Sequence, residues 1–135
     1  DNIKIIYQLS QEGIPINCTA LMSLSQVMLG QKAGARYVSV FAGRIDDEGG
    51  DFYSMIEDCM AYLNGTGCEL IVGSIRTVGN VLDAVRAGAD IVTIPPAILE
   101  KMTKHEKSLS TVQEFEQAYE RISREVSERS TNHSK

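Results

Sequence analysis

One short pattern occurs twice in register: Ala33-Gly34-Ala35-Arg36-Tyr37-Val38-Ser39-Val40 and Ala87-Gly88-Ala89-Asp90-Ile91-Val92-Thr93-Ile94. Each copy reads as a helix end, a glycine suited to the left-handed C-terminal cap, and the β-branched run of a buried strand. The offset from 33 to 87 is 54 residues, or two units of about 27, near the minimum for a βαβ step. A helix before every strand excludes simple hairpins. Parallel strands need crossover helices, so the chain is constrained to parallel βα units.

The rest of the chain fits this alternation. Helices are expected over 1–12, 23–32, 52–64 and 77–87, then a short one near 97–104 and a long one over 110–128. The first has Asp1 or Asn2 as cap, apolar Ile3, Ile6 and Leu9, and Gly13 as stop. Apolar stripes run through Leu24, Val27 and Met28, through Phe52, Ile56, Cys59, Met60 and Leu63, and through Val112, Phe115, Tyr119, Ile122 and Val126. Strands are expected over 14–21, entered through Pro15, then 37–42, 68–74 and 90–94, the last stopped by Pro95-Pro96. Ile45 to Gly50 reads as an acidic, glycine-rich loop, and Ser130 to Lys135 as a disordered polar tail. Four strands are too few for a (β/α)8 barrel, which takes roughly 200 residues or more. A chain of 135 residues is one domain's worth, so half a barrel or a small open sheet is expected.

Composition excludes several classes. A net charge of −5 argues against a nucleic-acid or anionic-membrane surface. No apolar run approaches the roughly 18 residues of a membrane span, and no signal peptide opens the chain. Cys18, Cys59 and Cys68 are odd in number and lack metal-type spacing, while His105 and His133 lie far off in polar sequence. They read as free thiols of a reducing cytoplasm. No metal is expected at Asp46-Asp47-Glu48, which reads as a solvated loop. The methionines read as core fillers.

The residues that point to chemistry gather at one end of the strands. Period-two alternation puts Asn17 and Thr19 on one face of the first strand, and Tyr37, Ser39 and Phe41 on one face of the second. Gly43-Arg44 follows the second strand, and Ser74-Ile75-Arg76 the third. Taken singly, Arg44 and Arg76 read equally well as surface arginines, and Asn17 and Thr19 as satisfied structural polar residues. Together they are hard to explain as core filling, because an unbonded buried polar group costs about 1–3 kcal/mol. Two guanidinium forks and a hydroxyl at adjacent strand ends suit a phosphate. In α/β folds, ligands bind at the carboxyl ends of the strands.

Several runs resemble the signature of transaldolases. Asn17-Cys18-Thr19-Ala20-Leu21, Gln26, Ala33-Gly34-Ala35 and Ser39-Val40-Phe41-Ala42-Gly43-Arg44-Ile45-Asp46-Asp47 are similar to its Asn-x-Thr-Leu, Gln-Ala, Ala-Gly-Ala and Ser-Pro-Phe-Val-Gly-Arg-Ile-Asp elements. Ser74-Ile75-Arg76 resembles its Ser-Phe-Arg/Lys element, and Val92-Thr93-Ile94-Pro95-Pro96 its last strand. The departures at Val40, Ala42 and Ile75 are apolar exchanges. The likeness covers nearly the whole chain. It is closest to the short bacterial-type transaldolases, which include the fructose-6-phosphate aldolases.

The resemblance implies a (β/α)8 barrel that moves a dihydroxyacetone unit through a Schiff base on a lysine, with no cofactor. Its substrates would be sugar phosphates: fructose 6-phosphate, sedoheptulose 7-phosphate, erythrose 4-phosphate and glyceraldehyde 3-phosphate. Arg44, Ser74 and Arg76 would hold the phosphate. Asn17 and Thr19 would orient the catalytic water and the intermediate's hydroxyls. Ser39 would bond the dihydroxyacetone end, and Phe41 would line the pocket. The aldolase subgroup tends to carry tyrosine there, so Phe41 favours transfer over aldol cleavage.

The family lysine sits on the fourth strand, just before the helix with which this sequence opens. The chain is therefore expected to be the C-terminal half, strands five to eight plus the terminal helix, and inactive alone. An aldolase-like enzyme and a non-catalytic half-barrel that binds phosphosugars are the alternatives. Exposed sheet edges and an open inner face would favour a homo-oligomer.

Overall fold

The computed structural model describes residues 2–132, which fall into two compact units divided between Leu99 and Glu100. The first unit holds α1 (Asn2–Gln11), β1 (Asn17–Leu21), α2 (Leu24–Lys32), β2 (Tyr37–Phe41), α3 (Ala42–Asp47), α4 (Phe52–Leu63), β3 (Glu69–Gly73), α5 (Val78–Arg86) and β4 (Ile91–Val92). The short α6 (Pro96–Met102) falls at the division, and the second unit contains α7 (Glu106–Asn132).

The sheet is wholly parallel, and its order is the chain order, β1-β2-β3-β4. This order has a consequence. Parallel crossovers are right-handed, so strands laid down always in the same direction put all their helices on one face. That face carries Val38, Val40, Leu70 and Val72, each fully buried. They form one cluster with Val27 of α2, Ile56, Cys59 and Leu63 of α4, and Val81 and Ala84 of α5. Burying such a side chain stabilises by about 1.5–3 kcal/mol. The opposite face presents Asn17, Tyr37 and Glu69 in one row, then Ser39 beside Ile71, then Phe41 beside Gly73. Most of that second row set is only half-buried or exposed.

Side chains fix the helix starts. Ser23 accepts from the Gln26 amide, Asp51 from the Ser54 amide, and Thr77 and Asn80 form a reciprocal capping box. The repeated glycine closes α2 and α5 at left-handed φ, +95° at Gly34 and +89° at Gly88. A Cβ at Gly34 would also stand 2.4 Å from the Ser10 hydroxyl, so α1 lies close over this turn.

Four boundaries differ from expectation. The first strand starts at Asn17 and leaves Pro15 outside it; the Ile16 carbonyl instead accepts from the Arg36 and Tyr37 amides at 3.0 Å each. β4 has only two residues, because Asp90 offers its carboxylate to the Leu70 amide (2.8 Å) instead of continuing the ladder. The expected loop from Ile45 to Gly50 is helical in its first half, as the end of α3, and leaves the helix only over 48–50. α7 begins at Glu106 and continues through Ser130 to Asn132; of the expected polar tail, 133–135 lie outside the described residues. Among the described residues, no helix is long and apolar enough to cross a membrane.

Candidate functional site

β2 and β3 end side by side, with Phe41 opposite Gly73. The chain leaving β2 turns directly into α3 and carries Arg44; the chain leaving β3 runs through Ser74 and Ile75 to Arg76. Both arginines line one open cavity of about 520 Å³, with Met22, Ile45, Asp47, Glu48 and Gly50. Arg44 stands over the Phe41 ring, 5.3 Å from its centroid, a cation–π distance. The two segments are tied by backbone: the Gly43 amide donates to the Ser74 carbonyl at 3.1 Å. A Cβ at Gly43 would lie 2.4 Å from that carbonyl oxygen and 2.7 Å from Arg76 Nε. Only glycine allows this approach.

Arg76 is held by Asp47. Its Nη2 donates to Asp47 Oδ2 at 2.6 Å, and its Nη1 donates to Oδ1. The guanidinium holds the Asp47 carboxyl below the usual carboxylate range, and the carboxylate raises Arg76 in turn. Asn80 braces the same corner. Its side-chain oxygen accepts from the Arg76 and Thr77 amides (3.2 Å each), and its NH2 donates to Asp46 at 3.3 Å.

Two strained residues stand at strand ends. Ala20 has φ +64° and Ser74 φ +59°, and they are the only non-glycine residues with positive φ among those described. A non-glycine residue is costly there, and such strain concentrates at functional sites. At Ala20 the cause is a bulge: Cys18 pairs with Val38 but Leu21 with Val40, so Thr19 and Ala20 together oppose Ser39. The strict alternation expected for the first strand therefore stops at Thr19, and Leu21 turns in to the helix-covered side, where it is buried.

Asn17, Thr19 and Ser39 lie on the open sheet face, outside the lining of the arginine cavity. Ser39 is buried, 3% exposed, and its hydroxyl donates to Asn17 Oδ1 at 2.7 Å. The cost of burying the hydroxyl is offset by that bond. The structure thus joins Arg44 with Arg76, Phe41 with Arg44, and Asn17 with Ser39. Ser74 accepts the Gly43 amide through its carbonyl but, like Phe41, is not among the residues that line the cavity. Asp47 was missed in the sequence as part of a solvated loop. Its partner Arg76 lies 29 residues away, so no local spacing marks the pair.

Other chemistry-bearing groups are less suited. Burial pushes the Cys59 thiol up to about 11, with Asp58 adding to the shift, and raises Cys18 and Cys68. They are poor nucleophiles near neutral pH. Among the described residues no lysine lies on a strand: Lys4 is in α1, Lys32 in α2, Lys101 in α6, Lys107 in α7 and Lys104 between helices. No group of three His, Cys, Asp or Glu among the described residues is placed to hold a metal. A larger hollow of about 590 Å³ lies at the opposite, amino-terminal ends of the strands, lined by Arg36, Cys68, Glu69 and Asp90 among others. Its charges are engaged: Arg36 pairs with Glu69 at 3.1 Å, and Asp90 takes the Leu70 amide.

The fold is similar to that of mandelate oxidase in crystal structures, with a TM-score of 0.54 at 24% identity, over 68% of this chain and 29% of that one. This likeness concerns fold alone. The chain is 38% identical over 128 residues to a probable transaldolase of Nitrosopumilus maritimus, covering 93% of this chain and 58% of the relative. It is 45% identical over 107 residues to a probable transaldolase of Coprothermobacter proteolyticus, covering 78% and 49%. A probable transaldolase of Petrotoga mobilis is 46% identical, with 78% and 48% covered. The chain therefore spans about half the length of the curated relatives it matches. Residues 1–134 match the family described as Transaldolase/Fructose-6-phosphate aldolase, and the chain belongs to that family.

Proposed function

We propose that this chain supplies strands five to eight of a (β/α)8 barrel and the phosphate-holding half of a transaldolase. The enzyme would transfer a dihydroxyacetone unit between sugar phosphates such as fructose 6-phosphate, sedoheptulose 7-phosphate, erythrose 4-phosphate and glyceraldehyde 3-phosphate. The observation that carries this reading is the shared cavity: arginines from two consecutive strand ends line one open hollow of about 520 Å³, room enough for the phosphate end of a sugar phosphate. In this reading Arg44, Arg76 and Ser74 hold the phosphate by charge-assisted hydrogen bonds. Asn17 and Thr19 orient the catalytic water and the hydroxyls of the intermediate. Ser39, fixed by Asn17, bonds the dihydroxyacetone end, and Phe41 forms the wall beneath Arg44. Phenylalanine rather than tyrosine at this position supports transfer over aldol cleavage.

The Schiff-base lysine belongs, in this reading, to a strand that this chain does not contain. The helical or loop positions of its described lysines support that. A helix-free sheet face with two unpaired edges supports assembly with further copies. Three free thiols support a reducing cytoplasm.

Two measurements test the reading. Borohydride reduction of the 135-residue chain with fructose 6-phosphate should give no covalent adduct; an adduct would place a competent lysine on this chain. Calorimetry with inorganic phosphate should show binding that Arg44→Ala weakens at least about tenfold, the loss of one or two charge-assisted bonds. Equal affinity in the variant removes the anion site.

A further inference from the structure

The phosphate reading leaves the acidic end of α3 without a role. Asp47 and Glu48 line the same cavity as Arg44 and Arg76, so its formal charges cancel. A hollow meant only to attract an anion would not carry two carboxylates. Asp47, moreover, takes both terminal nitrogens of Arg76, the edge that an oxyanion would engage end-on. The other edge is crowded on one side by Gly43, where even a Cβ would stand 2.7 Å from Nε. Asp47 and a phosphoryl group therefore compete for one set of donors.

The pair is built to be exchanged. Its side chains are 50% and 51% exposed, so solvent screens the pair despite its two-point geometry and an incoming anion can reach it. The neighbouring carboxylate is anchored separately, because Asp46 accepts from Asn80. When Asp47 releases Arg76, α3 loses one of its tertiary contacts but keeps the Asn80–Asp46 bond and the Gly43 bond to Ser74. We infer that Asp47 is a built-in competitor, which holds Arg76 in the cavity until a phosphoryl dianion replaces it. This rests on the phosphate reading of the cavity and deepens it. A free anion that needs Arg76 must displace a tethered carboxylate, whose effective concentration is high. Asp47 thus lowers the apparent affinity for such anions by a common factor, which a dianion shared between Arg44 and Arg76 overcomes at lower concentration than a singly charged acid.

Calorimetry of the 135-residue chain and of Asp47→Asn, titrated with inorganic phosphate and separately with acetate, tests this. Asparagine keeps the size of the side chain and removes its charge. Phosphate affinity should rise about three- to tenfold, the effect of deleting one like charge near a half-solvated anion. Acetate, which has to displace the same carboxylate, should also bind more tightly to the variant. Unchanged or weaker phosphate binding by Asp47→Asn overturns the inference. A second measurement does not depend on the variant folding. In the unaltered chain the carboxyl carbon resonance of Asp47 should move as phosphate saturates the site, and a resonance that stays fixed at saturation overturns the exchange. Phosphate binding that Arg44→Ala abolishes but Asp47→Asn leaves alone removes only the competitor. No phosphate binding by either the chain or Asp47→Asn removes the site and the competitor together.

Discussion

At the scale of single residues, backbone strain marks the working end of the sheet as clearly as charge does. Ala20 and Ser74 both hold positive φ, where a residue with a Cβ costs roughly 1–2 kcal/mol. Neither position has glycine, so nothing in the sequence announces the conformation. Ala20 has no polar group to contribute, and its strain belongs to the bulge that brings Thr19 opposite Ser39. Ala20→Gly should therefore raise the unfolding free energy by about 0.5–1 kcal/mol, the relief of strain less the greater freedom of glycine when unfolded. Urea denaturation checks this; a less stable variant would mean that Ala20 is not strained. The two arginines were legible because parallel strands end on the same side, whatever their separation in sequence. Asp47 was not, since its pairing with Arg76 exists only once the two strand ends are neighbours.

At the scale of elements, the short caps carry more than helix stability. Thr77 and Asn80 close a capping box, and the same Asn80 oxygen accepts from the Arg76 amide at 3.2 Å. The cap thus fixes the backbone of a rim arginine. Thr77→Ala should cost about 1 kcal/mol. It should also speed hydrogen exchange at the first amides of α5 while leaving α4 unchanged; unaltered protection there would deny the cap its role. Elements of this kind were readable, as were the repeated glycine caps and buried strands, because each has a local signal. The failures have one common cause. α3 has no side-chain N-cap, and it puts Asp46 and Asp47 at its carboxyl end, where the helix dipole disfavours them. Tertiary contacts stabilise it instead: the Gly43 bond to Ser74, and Arg76 and Asn80 on its carboxylates. β4 is short for a similar reason, since Asp90 replaces a ladder bond with a side-chain bond that no periodicity reveals.

At the scale of the whole molecule, the sheet poses an unresolved problem of solvation. Its helices cover one face, and within the first unit the other presents Tyr37, Phe41 and Ile71 half-buried and Ile91 at 38% exposure. The edges differ. β1 is blunted by its bulge, which discourages pairing, while β4 offers a mere two residues of ladder. Edge-to-edge pairing is therefore the weaker drive, and the apolar face the stronger. A stable interface of standard size buries about 1,200–2,000 Å², so association should need most of this face and not one edge. The chain should form dimers or larger species at micromolar concentration in sedimentation velocity. Ile91→Lys, a charge on that face at a position outside the core, should shift the distribution toward monomer without lowering the unfolding midpoint. If the unaltered chain sediments as a monomer across the micromolar range, the face is stable in water and the assembly reading fails. If it associates but Ile91→Lys changes nothing, the contact lies elsewhere, and the sheet face is not what draws the copies together.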